Sequence, residues 1–487
     1  MRIACKSCVV VAWLPLLATL CAGLEGEPRA PGANADRGRP QGAPAVFLTE
    51  IPAHKGNVVL GRPTDRSVTL SILVHEAADV SVACGPRGQA LNRRAAALTL
   101  HAGEPREVVL AGLDTNAAYE YRILSAESGE PLLPADGNGC FHTARAPGSA
   151  FTFTVQADSH LDEGCLPELY RTTLANALAD QPDFHIDLGD TFMTGKHESR
   201  ETALLQYAAQ RYYLGLIGHA APVFLVLGNH DGEETKNSDA TRADGLAVWS
   251  CTQRKRLFPN PVPDAFYTGN TAEHPYAGLL QDYYAWTWGD ALFVVLDPYW
   301  TSRSTRGGRE PWNMTLGKDQ YDWLARTLRQ SRAKFKFIFI HQLVGGLDQG
   351  GRGGAEAAGL FEWGGQELDG RRTFAVRRPG WERPIREMLV ETGVNIVFHG
   401  HDHFFAHQER DGVVYQLVPQ PAHWSSQKHS VAEYGYKTGD FLPSSGHLRV
   451  HVDPDGVTVA YVRAATPDMA RHGIRNGETA FEYTLGR

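Results

Sequence analysis

The chain has 487 residues, 43% hydrophobic and 21% charged, which excludes a disordered polymer and gives length for about two domains of ~100–250 residues. With 55 acidic against 47 basic side chains the net charge is -8, so a nucleic-acid backbone is excluded as a stable partner. The local basic cluster Arg371, Arg372, Arg377 and Arg378 reads as a solvated loop.

At the start, Arg2 and Lys6 precede an apolar run from Val9 to Leu20, and the small residues Ala22 and Gly23 follow. That order predicts a signal peptide over 1–23 and a secreted or periplasmic protein. The run is too short to cross ~30 Å of hydrocarbon as a helix. No later segment is apolar over a spanning length, so no transmembrane segment is expected. A lipid anchor on Cys21 is the weaker alternative, because Leu20 is bulky where lipoprotein signals have a small residue. Residues 24–44, rich in Gly, Pro, Ala and Arg, read as a flexible linker.

From 45 to 146 the pattern is all-β. Ser67–Val74 and Asp79–Ala83 alternate with period two, and Arg106–Leu110 and Ala118–Leu124 follow at similar spacing, as in a β-sandwich. The stretch Gly112–Ile123, with Tyr119 and Tyr121, resembles the strand corner of fibronectin type III-like domains. Nothing in this region gathers acid, base or ligand residues, so it reads as a structural or docking module.

Between 150 and 465 continuous apolar strands alternate with helical segments at Leu166–Asp180, Ser199–Ile217 and Asp319–Arg332, which predicts a layered α/β domain. Near its end, 447–462 is a hairpin turning at Asp453-Pro-Asp-Gly456. Residues 466–487 are expected to be a C-terminal tail. Past the leader the cysteines are Cys84, Cys140, Cys165 and Cys251. They are expected either to pair as Cys84–Cys140 and Cys165–Cys251, each within one domain, or to stay buried thiols. Asn313-Met314-Thr315 matches a glycosylation acceptor.

The chemistry lies at five strand ends in the second domain. The apolar run 151–157 ends in Asp158-Ser159-His160, 184–188 in Gly189-Asp190, and 223–227 in Gly228-Asn229-His230-Asp231. Residues 334–340 end in His341, and 394–398 lead into His399-Gly400-His401-Asp402-His403. In open α/β sheets ligands gather beyond the carboxyl ends of strands. On extended backbone, positions i and i+2 point the same way, so Asp158 with His160, and His401 with His403, are each expected to give two ligands to one cluster. A glycine before Asp190, Asn229 and His401 allows close approach. Carboxylate, amide and imidazole donors without thiolate suit iron, manganese or zinc. Each motif is weak alone; five in order form a strong joint signal.

This series resembles the calcineurin-like metallophosphoesterase superfamily, and the preceding sandwich resembles the layout of purple acid phosphatases, together over about residues 45–465. The resemblance implies a four-layer α/β/β/α catalytic sandwich behind the all-β domain. It implies two metal ions: the first on Asp158, His160 and His403, the second on Asn229, His341 and His401, with Asp190 bridging. It gives His230 the part of an outer histidine that contacts phosphate and protonates the leaving oxygen, oriented by a hydrogen bond to Asp231. Purple acid phosphatases place a Tyr three positions after the bridging Asp. Here that position is Met193, so no purple band is expected and the metals stay open.

The implied activity is hydrolysis of a small phosphorylated substrate by direct attack of a metal-bound hydroxide, most simply on a phosphomonoester. Phosphodiesterase or nucleotidase activity is the alternative within the superfamily. Outside it stand a catalytically dead cell-surface binding protein and a hydrolase of other esters. His399, Asp297, His185 and Asp187 read as structural. The glycine-rich segment 345–365 reads either as a lid or as a mobile insertion. Oligomeric state is not legible.

Overall fold

A computed structural model describes residues 45–135, 137–234, 242–303, 310–424 and 429–486. The expected signal peptide, Cys21 and the linker lie outside the described residues.

The first strands are β1 (Gly56–Gly61), β2 (Ser67–Val74), β3 (Ala78–Pro86), β4 (Arg93–Arg94), β5 (Leu98–Leu100), β6 (Arg106–Ala111), β7 (Ala118–Ser125), β8 (Pro131–Leu133) and β9 (Gly139–His142). One sheet runs β1-β2-β6; the other is built on the β3–β7 pair, with β4 and β5 on β3 and β8 and β9 on β7. Val68, Leu70 and Ile72 of β2 face Val80, Val82, Tyr121 and Ile123 in the core between them. The alternating pattern of β2 leaves Thr69 and Ser71 for the other face, yet both are buried. That face is covered, because the buried guanidinium of Arg211 donates to the Ser71 carbonyl and Val59 and Leu73 pack on Tyr207 and Leu214. At the corner before β7, the Asp114 N–H donates to the Tyr119 hydroxyl at 2.9 Å.

The second part continues with β10 (Phe151–Gln156), α1 (Pro167–Ala179), β11 (Phe184–Asp187), α2 (Arg200–Gly218), β12 (Val223–Leu225), α3 (Leu246–Leu257) and β13 (Thr268–Gly269). A small hairpin, β14 (Glu273–His274) with β15 (Gly278–Leu279), precedes β16 (Tyr284–Trp288), β17 (Ala291–Val295), α4 (Lys318–Gln330) and β18 (Phe335–Phe339). Next come α5 (Phe361–Gly364), α6 (Phe374–Arg377), α7 (Ile385–Glu391), β19 (Ile396–His399), β20 (Phe405–Arg410) and β21 (Val413–Leu417). The chain closes with α8 (His429–Glu433), β22 (Asp440–Leu442), β23 (Gly446–Val452), β24 (Gly456–Arg463) and β25 (Thr479–Gly486).

These strands form two sheets, ordered β12-β11-β10-β23-β24-β25 and β13-β16-β17-β18-β19-β21-β20-β22. They face each other across an aromatic core in which Phe153 and Phe184 of one sheet meet Phe293, Phe337 and Phe398 of the other. Outside the first sheet, Tyr170 and Leu174 of α1 pack with Tyr213 and Ile217 of α2. Outside the second, Leu324 and Leu328 of α4 and Met388 and Leu389 of α7 cover Val294, Ile338 and Val397. The result is the four-layer α/β/β/α sandwich, and the three expected helices are α1, α2 and α4. Of the three, α2 starts on a side-chain cap: Ser199 accepts from the Thr202 N–H, and Thr202 closes a capping box in return.

Four expectations are corrected. Residues 466–487 are not a tail, since β25 pairs along β24 from Gly456↔Gly486 to Val462↔Thr479 and finishes the first sheet. All four described cysteines are free. Cys84 lies opposite Tyr121 and Cys140 opposite Glu120, on the two sides of β7. Two strand spacings, about 10 Å, exceed the ~7 Å Cα separation a disulfide tolerates. Cys165 and Cys251 pack in different clusters. The Asn313 side-chain nitrogen is buried, so in the folded chain the glycosylation triplet offers no accessible acceptor. Finally, the segment 345–365 is neither a loose lid nor a mobile insertion. Most of it is buried, with Gly353 donating to Asp402 at 2.9 Å and Ala355 to Gln408 at 2.9 Å. Among the described residues no helix is long and apolar enough to cross a membrane.

Candidate metal centre

Strands β10, β11 and β12 run parallel in one sheet, and β17, β18, β19 and β21 run parallel in the other. Their carboxyl ends therefore open on a common edge, where the turns after β10, β11, β12, β18 and β19 carry the expected donors. Asp158, His160 and His403 form one group with ligand atoms within 4.8 Å of one another, and Asp190, His341 and His401 form another. The two groups touch. Asp190 Oδ2 lies 3.7 Å from His160 Nε2 and 3.4 Å from His341 Nε2, so one carboxylate oxygen faces both. Asp158 Oδ1 is 3.6 Å from His160 Nε2 and 3.5 Å from His403 Nε2. Asn229 sits between Gly228 and His230, whose backbones both meet Asp190: the His230 N–H donates to Asp190 Oδ1 at 2.8 Å.

Convergence does not come from extended backbone, as the i, i+2 argument supposed. The strands end at Gln156 and His399, before the donors. Asp158, His160, Asp190, His401 and His403 have φ of 58°, 49°, 53°, 76° and 68°, the left-handed region that non-glycine residues avoid. Turns this tight need bare neighbours. A Cβ on Gly228 would lie 2.1 Å from the Asp190 nitrogen, and one on Gly400 would lie 2.7 Å from Asp158 Oδ2.

The donor atoms fit cations. Asp158 Oδ1, His160 Nε2, Asn229 Oδ1 and His341 Nε2 are all buried and have no hydrogen-bond partner. Other buried atoms of the chain also lack a partner, but these four gather at one edge around Asp158 and Asp190, which points to an ion as their partner. Each carboxylate has its other oxygen fixed by backbone: Asp158 Oδ2 accepts from the His401 N–H at 2.8 Å, and Asp190 Oδ1 from His230. The imidazoles follow the habit of metal-binding histidines, which anchor one nitrogen and offer the other. His341 Nδ1 donates to the Leu188 carbonyl at 2.8 Å, His401 Nε2 to that of Gly350 at 3.0 Å, and His160 Nδ1 to Asp162 Oδ2 at 3.2 Å. Burial disfavours charge on His341, yet Asp190 and Asp158 draw its pKa up to about 10. Two carboxylates in this dry recess call for positive charge.

His230 stands outside both groups, partly exposed. Burial of its ring, against the pull of Asp190, lowers its pKa to about 3. Asp231 does not orient it, which corrects the expected role. Its carboxylate is taken by four backbone donors: Asp190 at 3.1 Å and Gly228 at 2.7 Å on Oδ2, Thr191 at 2.9 Å and Phe192 at 2.7 Å on Oδ1. Asp231 therefore shapes the turn that presents Asp190. Met193, at the position of the missing tyrosine, is buried.

Several supporting residues carried no motif. Gln206 and Gln210 of α2 both donate to the Thr191 carbonyl, and Gln210 also to Ser159 Oγ. Gln156 donates to Tyr170 and Asp187, while Asp187 accepts from Thr191. Glutamines buried on an otherwise amphipathic α2 were the available signal. His399 is buried but belongs to neither donor group.

Residues 151–405, just over half of the chain, match the family model of the calcineurin-like phosphoesterases. The structure aligns with that of PhoD over 90% of both chains, at 16% identity and a TM-score of 0.57. It aligns with purple acid phosphatase PPD1 from seeds of yellow lupin (Lupinus luteus) over 89% of this chain and 74% of that one, at 13% identity and a TM-score of 0.52. At such identities the likeness is one of fold. No curated protein sequence matches the chain. The matched span contains every donor described above, and the chain belongs to the calcineurin-like phosphoesterase family.

Proposed function

We propose that this protein is a secreted phosphomonoesterase, acid-phosphatase-like in layout, that works with two ions drawn from iron, manganese or zinc. The observation that carries the reading is the set of buried, partnerless donor atoms on Asp158, His160, Asn229 and His341, with His230 just outside it. In this reading Asp158, His160 and His403 hold the first ion, Asn229, His341 and His401 the second, and Asp190 bridges them. When bound, the ions would supply an activated water and charge stabilisation for an in-line displacement at phosphorus.

The chain's own residues position and protonate. His230 is neutral in the free protein, where burial holds its pKa at about 3, and it offers an N–H to a phosphoryl oxygen. A phosphate dianion beside it favours the imidazolium, which can then protonate the leaving alkoxide. Asp231 keeps Asp190 in place beneath this contact. Residues 45–146 act as a fibronectin type III-like module docked on α2, and 150 onward form the catalytic domain. The residue pattern of 1–23 supports export.

The full chain, loaded in turn with iron, manganese or zinc, is to be given a chromogenic phosphate monoester and the matching diester. Faster turnover of the monoester is expected. Preference for the diester would move the assignment to phosphodiesterase, and no turnover with both positions filled would sink it.

A further inference from the structure

Asp162 and His423 lie beside the centre without a part in the chemistry above. Asp162 sits two residues past His160, in the turn before α1, and His423 lies in the segment that follows β21. Asp162 Oδ2 is 3.2 Å from His160 Nδ1, and Oδ1 is 2.7 Å from His423 Nε2. Oδ1 also accepts the Gly164 N–H at 3.1 Å. The carboxylate is clamped between two imidazoles and a backbone donor.

An imidazole that offers Nε2 to a cation must keep its proton on Nδ1 and must not rotate. A carboxylate at Nδ1 fixes both, and its charge strengthens the donor more than a neutral carbonyl does. Here the histidines differ. His341 and His401 lean on the carbonyls of Leu188 and Gly350, whereas His160 leans on a charged side chain. The far nitrogen of His160 is aimed at Asp158 and Asp190, 3.6 and 3.7 Å away.

We propose that Asp162, held by His423, is a positioning residue that acts through His160 to make the first metal position the tighter of the two. The inference rests on the two-ion reading above. His423 contributes by occupying the second oxygen of Asp162, which stops the carboxylate from turning away from His160.

The test reads metal binding. The full chain, stripped with a chelator and titrated with Zn2+ against a chromophoric competitor, should take up two ions with unequal affinity. Asp162→Asn should weaken the tighter ion by ~10–100-fold and spare the other. His423→Ala should weaken the same ion, and His423→Gln, whose amide can still donate to Asp162, should recover most of the loss. With Co2+ in place of Zn2+, the visible band of the tighter ion should shift in Asp162→Asn. Thermal unfolding of the metal-free variants controls for folding; if Asp162→Asn does not fold, the His423→Ala and His423→Gln pair decides.

Unchanged affinity for both ions overturns the proposal, as does an equal fall for both accompanied by lost metal-free stability. A third ion bound by the parent and lost in Asp162→Asn overturns it too, since His160, Asp162 and His423 would then be ligands of that ion. Normal results here with no hydrolysis of any phosphate ester would instead remove the proposed function and leave this inference standing.

Discussion

Asp231 offers the sharpest test of how the centre is built, because its neighbour in sequence and its partners in space suggest different roles. In Asp231→Asn one oxygen becomes an NH2 group. That group must face either the Asp190 and Gly228 donors or the Thr191 and Phe192 donors, all now at 2.7–3.1 Å from oxygen. Two buried N–H groups lose their acceptor, at about 1–3 kcal/mol each, so the substitution should cost roughly 2–6 kcal/mol. Against a total of about 5–15 kcal/mol that is a large fraction. The turn carrying Asp190 must then move, and with it the oxygen that faces both donor groups.

Urea unfolding of the metal-free variant, paired with elemental analysis after reloading, measures both effects. A lower midpoint and less than two ions per chain are expected. Full stability and full metal content with only turnover reduced would refute the reasoning, and would return Asp231 to the role of orienting His230.

Two further outcomes follow from the same geometry. His230→Ala should lower turnover of an ester with a poor leaving group by ~10²–10⁴-fold while both ions stay bound, measured by steady-state kinetics with metal analysis; unchanged turnover would remove its assigned role. Away from the centre, Asp180 accepts from His447 at 2.7 Å and from Arg449 at 3.1 Å. Burial alone would raise its pKa, but these partners hold it below the ordinary carboxylate value. The stability it contributes is therefore present above about pH 4 and lost as pH falls through the lowered folded value. Asp180→Asn should cost about 1–2 kcal/mol at pH 7 and much less near pH 2–3, by chemical denaturation at the two pH values; a deficit independent of pH would contradict the assignment.

What the sequence exposed, and what it hid, follows from the range of each interaction. The donors were legible because each sits directly after an apolar run, and because strand order in a parallel sheet puts those ends together. Their geometry was not, since the left-handed turns at Asp158, Asp190 and His401 depend on contacts with distant backbone. Asp158 is held by His401, Asp190 by His230, and the turn after Asp190 by Gln206 and Gln210 of α2. Asp231 was misread for the same reason: its nearest sequence neighbour is a histidine, but three of its four partners are N–H groups about 40 positions away. Asp162 and His423, 261 positions apart, leave no local trace at all. Strand β25 was legible as well, since Phe481, Tyr483 and Leu485 alternate with Glu482 and Thr484 and pack on the core, so reading it as a tail missed a local period-two signal.

The strained turns and the hidden polar layer belong to one design. Left-handed backbone at a non-glycine residue costs about 1–2 kcal/mol, and the five donors that adopt it cannot owe that geometry to local preference. Something must hold them: buried Gln206, Gln210, Asp187 and Asp231 tie the turns of His160 and Asp190 to α2 and to each other, and Asp402, which accepts from Gly353 and Tyr436, holds the turn of His401 and His403. A glutamine inside an α/β layer is unfavourable unless its polar atoms find partners, and the oxygens of Gln206 and Gln210 find His197 and Tyr170. Here the donors of Gln206 and Gln210 end on the carbonyls and hydroxyl of the metal-bearing turns, and Gln156 ties β10 to Tyr170 and Asp187. The buried polar residues of the first sheet's outer face are thus the scaffold of the centre, which is why that face breaks the apolar pattern where it does.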